Sequence, residues 1–438
     1  MDVQELREKH KLIDLFLKLC EIPSPPLKER AVSEEILRIC RQRNISAEYD
    51  EFENIIARIP ATDNFINSQS LLLSAHMDVV GGSEEVSPKL SKDGKYIETD
   101  KTRTLGADNK AGIAAILDLA IDITAPESQI EHGDIEITFT RDEEKGMTGI
   151  RNLDTANLKS KYAIIADGEN LGELDCEGAG FTNVFVKVHG GKGGHSGINI
   201  HEADRINAIK VLSEFDSKIP QGVFKHDEEK GVITSINAGV CMGETANIYV
   251  LEMLKEVYEL GKENKPLLEK YGSTNLMDTV NRDSMLNVIA TKAEIAYSIR
   301  SSEPDNEKEL LDLIKQAAQD LNDKYKSLIE IEADIKLHMQ PFVKNEDDFL
   351  TQIIVKAGKK CGINSVPSSF HAGAETHILA NEMKNADGEA FNPVIIGVAD
   401  LVDIHSPNEQ IDWQSFLKGR AWLEIIVSQF AEATAQRR

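Results

Sequence analysis

The sequence predicts an α/β fold with a second, α+β domain inserted into the first, and three observations support this. The chain has 438 residues, more than one typical domain, and 41% of them are hydrophobic, which is ample for a core. In its first and last thirds, short apolar strands alternate with amphipathic helices, as in a central sheet flanked by helices. The middle third follows a β-α-β…β-α-β order, which is typical of an antiparallel sheet with two helices. We therefore expect a discontinuous domain over 1–179 and 346–438 and an inserted domain over 180–345.

The composition argues against nucleic-acid-binding, membrane and disulfide-rich classes of protein. The formal net charge of −25 opposes binding to nucleic acid. The chain contains no run of about 18 apolar residues, and its charged N-terminus lacks the apolar segment of a signal peptide, so we expect neither a membrane span nor a secretory leader. A reducing cytoplasm is expected because the cysteines are odd in number and widely scattered: Cys20, Cys40, Cys176, Cys241 and Cys361.

The first third of the chain predicts helices followed by strands. Apolar residues recur at helical spacing over 3–20, and the turn Ile22-Pro23-Ser24-Pro25-Pro26 ends that helix. A second helix is expected over 29–43, followed by a strand pair over 47–59. The apolar run Leu71-Leu72-Leu73 then indicates the end of a buried strand.

His76 and Asp78 follow that buried strand. Side chains of a strand repeat their direction every two residues, so both point the same way. An imidazole is a good ligand for a divalent transition metal, and a neighbouring carboxylate orients it or binds too. The alternative is a core histidine beside a surface aspartate, because an H-x-D pair alone is a weak signal.

Asp108 lies at the start of the apolar helix predicted over 113–121. This is a common place for an aspartate whose side chain caps a helix N-terminus. The functional alternative is a metal ligand held at a loop–helix junction. Both roles are compatible, because the two carboxylate oxygens can serve different partners.

Two adjacent carboxylates, Glu143 and Glu144, follow a strand predicted over 134–140. On an extended chain they cannot share a direction, so one can ligate a metal while the other faces the attacking water as a general base. The alternative is a charged surface turn.

Two further candidate ligands also follow short apolar strands. Asp167 comes after the strand in 161–166, and His405 comes after the strand over 393–398. In open α/β sheets, functional sites form outside the carboxyl ends of the strands. We therefore expect these residues to join the earlier candidates in one metal site.

The inserted domain begins with a strand over 181–189 and a glycine-rich stretch that contains His195. That stretch matches neither a phosphate-binding P-loop nor a nucleophile elbow. An added helical segment is expected within 241–285. The remaining elements predicted are helix 202–215, strand 231–240, strand 287–301, helix 307–321 and strand 328–337, and then, in the first domain again, helices 347–361 and 413–430.

Seven motifs, in order along the chain, carry a resemblance to a known family: SAHMDVV, TLGADNKAG, RDEEKGMTG, ADGE, GGHSG, HAGAE and HSPNE. Over nearly the whole chain the sequence resembles the co-catalytic dinuclear zinc peptidases, a family that includes peptidase T and aminoacyl-histidine dipeptidase. The resemblance implies a catalytic domain with a central mixed sheet and an inserted lid domain through which a homodimer forms. It also implies a metal-dependent exopeptidase that hydrolyses the N-terminal peptide bond of di- or tripeptides. Two zinc ions per subunit are the implied cofactor, and the same His/carboxylate donor set also accepts cobalt or manganese.

The resemblance also implies a role for each ligand. Asp108 would bridge the two ions. His76 and Asp167 would complete the binding of one ion, and Glu144 and His405 the binding of the other.

Roles for the remaining catalytic and lid residues follow from the same resemblance. Asp78 would fix the imidazole of His76, and Glu143 would be the general base. His195 would reach the carbonyl oxygen of the substrate, from the partner subunit if the dimer forms that way; without the resemblance it is a histidine in a glycine-rich turn. Arg300 and Asn287 occupy positions where the family's lid contacts the substrate.

The loop from His371 to Glu375 leaves the substrate class open. Glu375 could receive a free amino group, which would favour an aminopeptidase or dipeptidase, or it could be a surface charge. An amidohydrolase acting on N-acylated amino acids is the alternative on the same scaffold. A catalytically silent metal-binding scaffold is the rival from another class, and the presence of Glu143 and Asp78 argues against it.

Overall fold

The computed structural model describes residues 2–227, 232–243 and 287–436. The chain divides into two compact units, Met1–Gly180 with Met339–Arg438, and Phe181–His338. The second unit is thus inserted in the sequence of the first, and it ends at His338 rather than at residue 345. Most of the helical segment expected within 241–285 lies outside the described residues. In the part of the chain described, no helix has the length and apolar character needed to cross a membrane.

A mixed sheet forms the centre of the first unit, as the sequence predicts. Its strands are β1 (Ser46–Tyr49), β2 (Ile55–Ile59), β3 (Leu71–His76), β6 (Ile135–Thr140), β7 (Tyr162–Ile165), β8 (Leu174–Gly178), β14 (Pro367–Phe370) and β15 (Asn392–Ile396). They lie in the order β1-β2-β6-β3-β7-β15-β8-β14. Strands β6, β3, β7 and β15 are parallel neighbours, so their carboxyl ends meet at one edge of the sheet.

Helices pack with this sheet around one apolar core. They are Val3–Lys9, Lys11–Glu21, Arg30–Gln42, Ala107–Ile123, Phe349–Cys361 and Trp413–Ala435. Two further helices of this unit, Thr148–Arg151 and Glu375–Glu382, lie outside that core. Strands β3, β6, β7 and β15 are buried along their whole length, because both faces are covered. A small second sheet, which the sequence analysis did not predict, consists of β4 (Lys89–Leu90), β5 (Tyr96–Glu98), β16 (Leu401–Val402) and β17 (Gln410–Asp412).

The single helix expected over 3–20 is two helices that break at His10. The backbone of His10 is extended, with φ −129° and ψ 106°. Its ring lies against Trp413 of the last helix, with 5.5 Å between ring centroids. The break thus coincides with a contact to a residue 403 positions later, and local helical spacing does not reveal it.

The second unit has an antiparallel-paired sheet and two described helices around its own core. Its strands are β9 (Gly180–His189), β10 (Gly222–Asp227), β11 (Val232–Gly243), β12 (Lys292–Ser301) and β13 (Glu330–Met339), in the order β10-β11-β12-β9-β13. The helices are Ala208–Asp216 and Pro304–Tyr325. The first begins later than predicted because the side chain of Asn207 caps it, accepting the N–H groups of Ile209 and Lys210.

Candidate metal centre

The side chains predicted as metal ligands line one cavity in the first unit: His76, Asp108, Glu144, Asp167 and His405. His76 is the last residue of β3, and Asp167 follows β7 by two residues. Glu144 lies in the turn after β6, and His405 lies past the end of β15, in the loop between β16 and β17. The parallel strands therefore deliver their ligands to the edge of the sheet where such sites are expected.

Asp108 occupies the middle of this cluster, because each of its carboxylate oxygens faces a different histidine. Its Oδ1 lies 3.0 Å from Nε2 of His76, and its Oδ2 lies 2.9 Å from Nε2 of His405. The His76 Nε2 atom is also 3.3 Å from Oδ1 of Asp167. The His405 Nε2 atom is also 3.1 Å from Oε2 of Glu144. Two groups of three donors thus share the carboxylate of Asp108.

The backbone around Asp108 leaves its side chain available for the histidines. Asp108 has non-helical angles, φ −87° and ψ 105°, within the first turn of its helix. The capping role considered for Asp108 is filled by Asn109, whose Oδ1 accepts the N–H of Gly112 at 3.1 Å. The carboxylate of Glu409 accepts the N–H groups of Gly106 and Asp108 at 2.8 and 3.2 Å. Glu409 was missed as a functional candidate, although it is the last residue of the motif that begins with His405.

Asp78 joins the metal ligands to the predicted general base. It is fully buried, and its two oxygens accept the backbone N–H groups of Glu143 and Glu144 at 3.0 and 3.1 Å. Its Oδ1 lies 3.4 Å from Nδ1 of His76. Burial alone would raise the pKa of Asp78, but His76 and the two amides hold it below the usual value. The alternative of a surface aspartate at this position is wrong.

The electrostatics of the cavity favour positive charge. Burial lowers the pKa of His76, but Asp167 and Asp108 more than offset this and raise it well above the usual value. Hydrogen bonds to Asp108 and Glu144 raise the pKa of His405 to about 10. Burial raises the pKa of Asp167 to about 6. The crowded carboxylates therefore favour positive charge among them, as a divalent metal ion would supply.

The donor set fits divalent metal ions. Ligand atoms of His76, Asp108 and Glu144 all lie within 4.8 Å of one another. The second oxygen of Glu144, Oε1, is buried without a hydrogen-bond partner. Buried polar atoms are nearly always satisfied, so an unpaired carboxylate oxygen here indicates a missing partner. Imidazole and carboxylate together suit zinc, cobalt and manganese.

The two predicted substrate contacts of the 371–375 loop differ in their exposure. His371 lines the cavity. Glu375 is completely buried at the start of its helix and is not among the lining residues. Burial raises the pKa of Glu375 to about 7, although the nearby Thr140 hydroxyl favours its charged form. Glu375 is therefore not a surface charge. Two other carboxylates, Glu169 and Glu173, do line the cavity, and the sequence analysis did not single them out.

In the second unit, His195 is exposed, and one nitrogen of its ring, Nδ1, accepts hydrogen bonds from the backbone. The N–H groups of Gly197 and Ile198 donate to its Nδ1 at 3.0 and 3.3 Å. An Nδ1 atom that accepts leaves Nε2–H as the donor of the neutral ring. Arg300 is half-buried, with its guanidinium carbon 4.7 Å from the centre of the Phe181 ring. Asn287 accepts the N–H of Ser196 with its backbone carbonyl at 2.8 Å.

Comparisons of the sequence with known proteins find a family of peptidases and individual members with similar sequences. A profile of peptidase family M20/M25/M40 matches residues 72–429. The cytosol non-specific dipeptidase of Escherichia coli (strain K12) is 24% identical, across 94% of this chain and 95% of its own length. Peptidase T of Geobacillus sp. (strain WCH70) is 30% identical over 263 residues, which cover 56% of this chain and 62% of that protein.

Solved structures share the fold. A tripeptidase from Staphylococcus aureus subsp. aureus Mu50 superposes with a TM-score of 0.76 at 22% identity, covering 96% of this chain and 98% of its own. A Bacillus subtilis protein described as a dinuclear metal binding peptidase from the M20 family superposes with a TM-score of 0.66 at 12% identity, with the same coverage of both chains. At these identities, the superpositions establish the architecture.

Proposed function

Because the chain belongs to peptidase family M20/M25/M40 and is therefore a metallo-exopeptidase, we propose that it removes the N-terminal residue from di- or tripeptides. The relatives described as a dipeptidase, peptidase T and a tripeptidase support small peptides as substrates. The observation that carries the proposal is the Asp108 carboxylate: each of its two oxygens faces a histidine, and each histidine also lies within 3.3 Å of a further carboxylate.

Two zinc ions per subunit are the proposed cofactor. His76, Asp167 and Oδ1 of Asp108 would hold one ion; His405, Glu144 and Oδ2 of Asp108 would hold the other. When bound, such a pair polarises the scissile carbonyl and lowers the pKa of the attacking water. The description of the Bacillus subtilis structural relative as dinuclear supports the count of two.

Glu143 is the proposed general base. It lines the cavity, and burial raises the pKa of its carboxyl well above the usual value. A base acts best when its pKa lies near the working pH, because it must take the proton from water and later release it to the leaving amine. The backbone N–H of Glu143 donates a hydrogen bond to Asp78, and this bond fixes the position of the Glu143 backbone from which the side chain extends.

The inserted unit is proposed to serve as lid and dimer contact. Its His195 would donate from Nε2–H to the developing negative charge on the substrate carbonyl oxygen, a role that the acceptor state of Nδ1 supports. Arg300 and Asn287 are proposed substrate contacts in the same unit. In the first unit, His371 would touch the substrate. Glu375 would favour a free amino group from outside the cavity lining and in its ionised form, because it does not line the cavity and burial raises its pKa to about 7. A cytoplasmic location is proposed from the cysteine pattern and from the E. coli relative's description.

Product analysis by mass spectrometry tests the proposal. Zinc-reconstituted protein would be incubated with dipeptides, tripeptides and their N-acetylated counterparts, with Glu143→Gln beside it. We expect cleavage of the free-amine peptides alone, and a loss of about 10²- to 10⁴-fold in the variant, as for removal of a general base. Both proteins should contain two metal ions, which shows that the variant lacks only the base. Cleavage confined to the acetylated set would refute the exopeptidase assignment in favour of an amidohydrolase. Metal binding without turnover of any substrate would favour a silent scaffold.

A further inference from the structure

Lys110 is a buried lysine that lies beneath the metal centre rather than in it. Its side chain is 1% exposed and does not line the cavity. Its ammonium donates to the hydroxyl of Ser24 at 2.5 Å and to the carbonyl of Met77 at 2.8 Å. Burying an ammonium group costs several kcal/mol unless hydrogen bonds and nearby negative charge compensate. A buried lysine outside the lining of that cavity is therefore a candidate for a specific role.

The contacts of Lys110 and Ser24 fix the two residues that flank Asp78, Met77 and Val79. Ser24 Oγ also donates to the Met77 carbonyl at 2.8 Å, and the N–H of Val79 donates to the Ser24 carbonyl at 3.0 Å. The residues on both sides of Asp78 are therefore fixed to Ser24, and Lys110 holds the Ser24 hydroxyl and the Met77 carbonyl together. Burial lowers the pKa of Lys110 to about 7, and the nearby carboxylate of Asp78 is among the groups that oppose this shift.

Asp78 in turn contacts the proposed general base and two of the proposed metal ligands. Its carboxylate holds the backbone N–H groups of Glu143 and Glu144 and lies against Nδ1 of His76. Lys110 itself follows Asp108 by two residues in the same helix. One buried ammonium thus ties the segment that presents Asp108 to the segment that presents His76 and Asp78.

We propose that Lys110 is a positioning residue of the metal centre, which fixes Asp78, and through it Glu143 and two metal ligands, by clamping the Met77 carbonyl against Ser24. The proposal rests on the proposed function in identifying that centre. A purely structural Lys110 would stabilise the fold without affecting metal affinity. A positioning Lys110 affects metal affinity and turnover even when stability is unchanged.

Lys110→Met separates these roles. Methionine keeps most of the length of the side chain, and the Ser24 hydroxyl still satisfies the Met77 carbonyl. The hydrogen-bond partners of the Lys110 ammonium are neutral groups rather than carboxylates, so its removal breaks no direct ion pair and we expect the variant to fold. The first readout is zinc affinity of the metal-free protein, measured by competition with a chromophoric chelator. Removing groups that orient metal ligands typically costs about 10- to 100-fold, and we expect a loss of that size. In peptide hydrolysis we expect kcat to fall by a similar factor while KM stays within about twofold, because Lys110 does not reach the substrate cavity.

Arg420→Met is the matched control. Arg420 is another buried cation; it contacts Asp118 at 2.9 Å and Asp122 at 2.5 Å, farther along the helix that carries Asp108 and Lys110. Its loss should lower the melting temperature and leave zinc affinity and kcat unchanged. If both variants lose zinc affinity equally, a general loss of stability explains the result and the proposal is wrong.

Wild-type zinc affinity and kcat in folded Lys110→Met protein would also overturn the proposal. Should that variant fail to fold, Ser24→Ala decides. Removing this hydroxyl should weaken zinc binding in the same direction by a smaller factor, and unchanged affinity there contradicts the clamp. If the wild-type protein cleaves no peptide, the proposed function fails, but the zinc-affinity comparison still tests Lys110.

Discussion

Replacing Asp78 by asparagine should separate the stability of the fold from the activity of the metal centre. The buried carboxylate accepts the N–H groups of Glu143 and Glu144. Hydrogen bonds to a charged group contribute about 1.5–3 kcal/mol each, and neutral ones about 1 kcal/mol. Asparagine keeps one acceptor oxygen, and its amide group would face the other N–H. We therefore expect the free energy of unfolding of the metal-free protein to fall by about 2–4 kcal/mol.

Glu136→Gln provides a matched comparison for that variant. Glu136 is a buried carboxylate in β6 that accepts the N–H groups of Lys159 and Ser160 at 2.9 and 2.8 Å, and it does not line the candidate cavity. Replacing Glu136 by glutamine should lower the free energy of unfolding, measured with urea, by a similar amount. Only Asp78→Asn should also lose kcat/KM, by about 10- to 100-fold. The reasoning is refuted if both variants lose kcat/KM to the same extent, or if Asp78→Asn retains wild-type zinc affinity and kcat/KM.

Three further predictions concern groups around the centre. Glu409→Gln should weaken zinc binding by about 10-fold, since a neutral amide holds the Asp108 loop less firmly; calorimetric titration with zinc that gives the wild-type affinity would contradict this. Burial raises the pKa of Asp175 to about 7, so its contribution to stability is present below its unfolded pKa of about 3.8 and is lost as the pH rises through 7. Asp175→Asn should therefore be more stable than wild type at pH 8 and little changed at pH 4, and equal melting curves at pH 8 would contradict it. Gly112→Ala would place a methyl group against the carbonyl of Ala166, so the variant should lose about 1–3 kcal/mol of unfolding free energy; unchanged urea unfolding would show that the helix shifts freely.

The parts of the fold that the sequence predicts are those with strong periodic signals. Strands β3, β7 and β15 were predictable because they contain short runs of consecutive apolar residues, as expected of strands buried on both faces. Strand β6 was predictable from its alternation of apolar and polar residues. The break at His10 was not, because no glycine or proline marks it in the sequence and the ring that His10 contacts, Trp413, is distant in the chain. The short strands β4, β5, β16 and β17 are only two or three residues long, and no period can be read from so few positions.

In the candidate site, too, some residues could be predicted from the sequence and others could not. His76, Asp108, Glu144, Asp167 and His405 follow elements that the sequence reveals, so their convergence could be expected from the topology. The supporting residues could not be found this way. Glu409 and Lys110 act on backbone groups of segments far away in sequence, and their side chains carry no pattern beyond that of an ordinary charged residue. The burial of Glu375 was equally hidden, because an acidic residue at a helix start usually faces solvent.

Anomalous diffraction from zinc-loaded crystals tests the central claim most directly. We expect two zinc peaks, one on each side of the Asp108 carboxylate, the first bound by His76 and Asp167 and the second by Glu144 and His405. In Asp108→Ala crystals we expect at least one of the two peaks to disappear. A single peak in the wild-type protein at saturating zinc, or a pair of ions held without Asp108, would contradict the account.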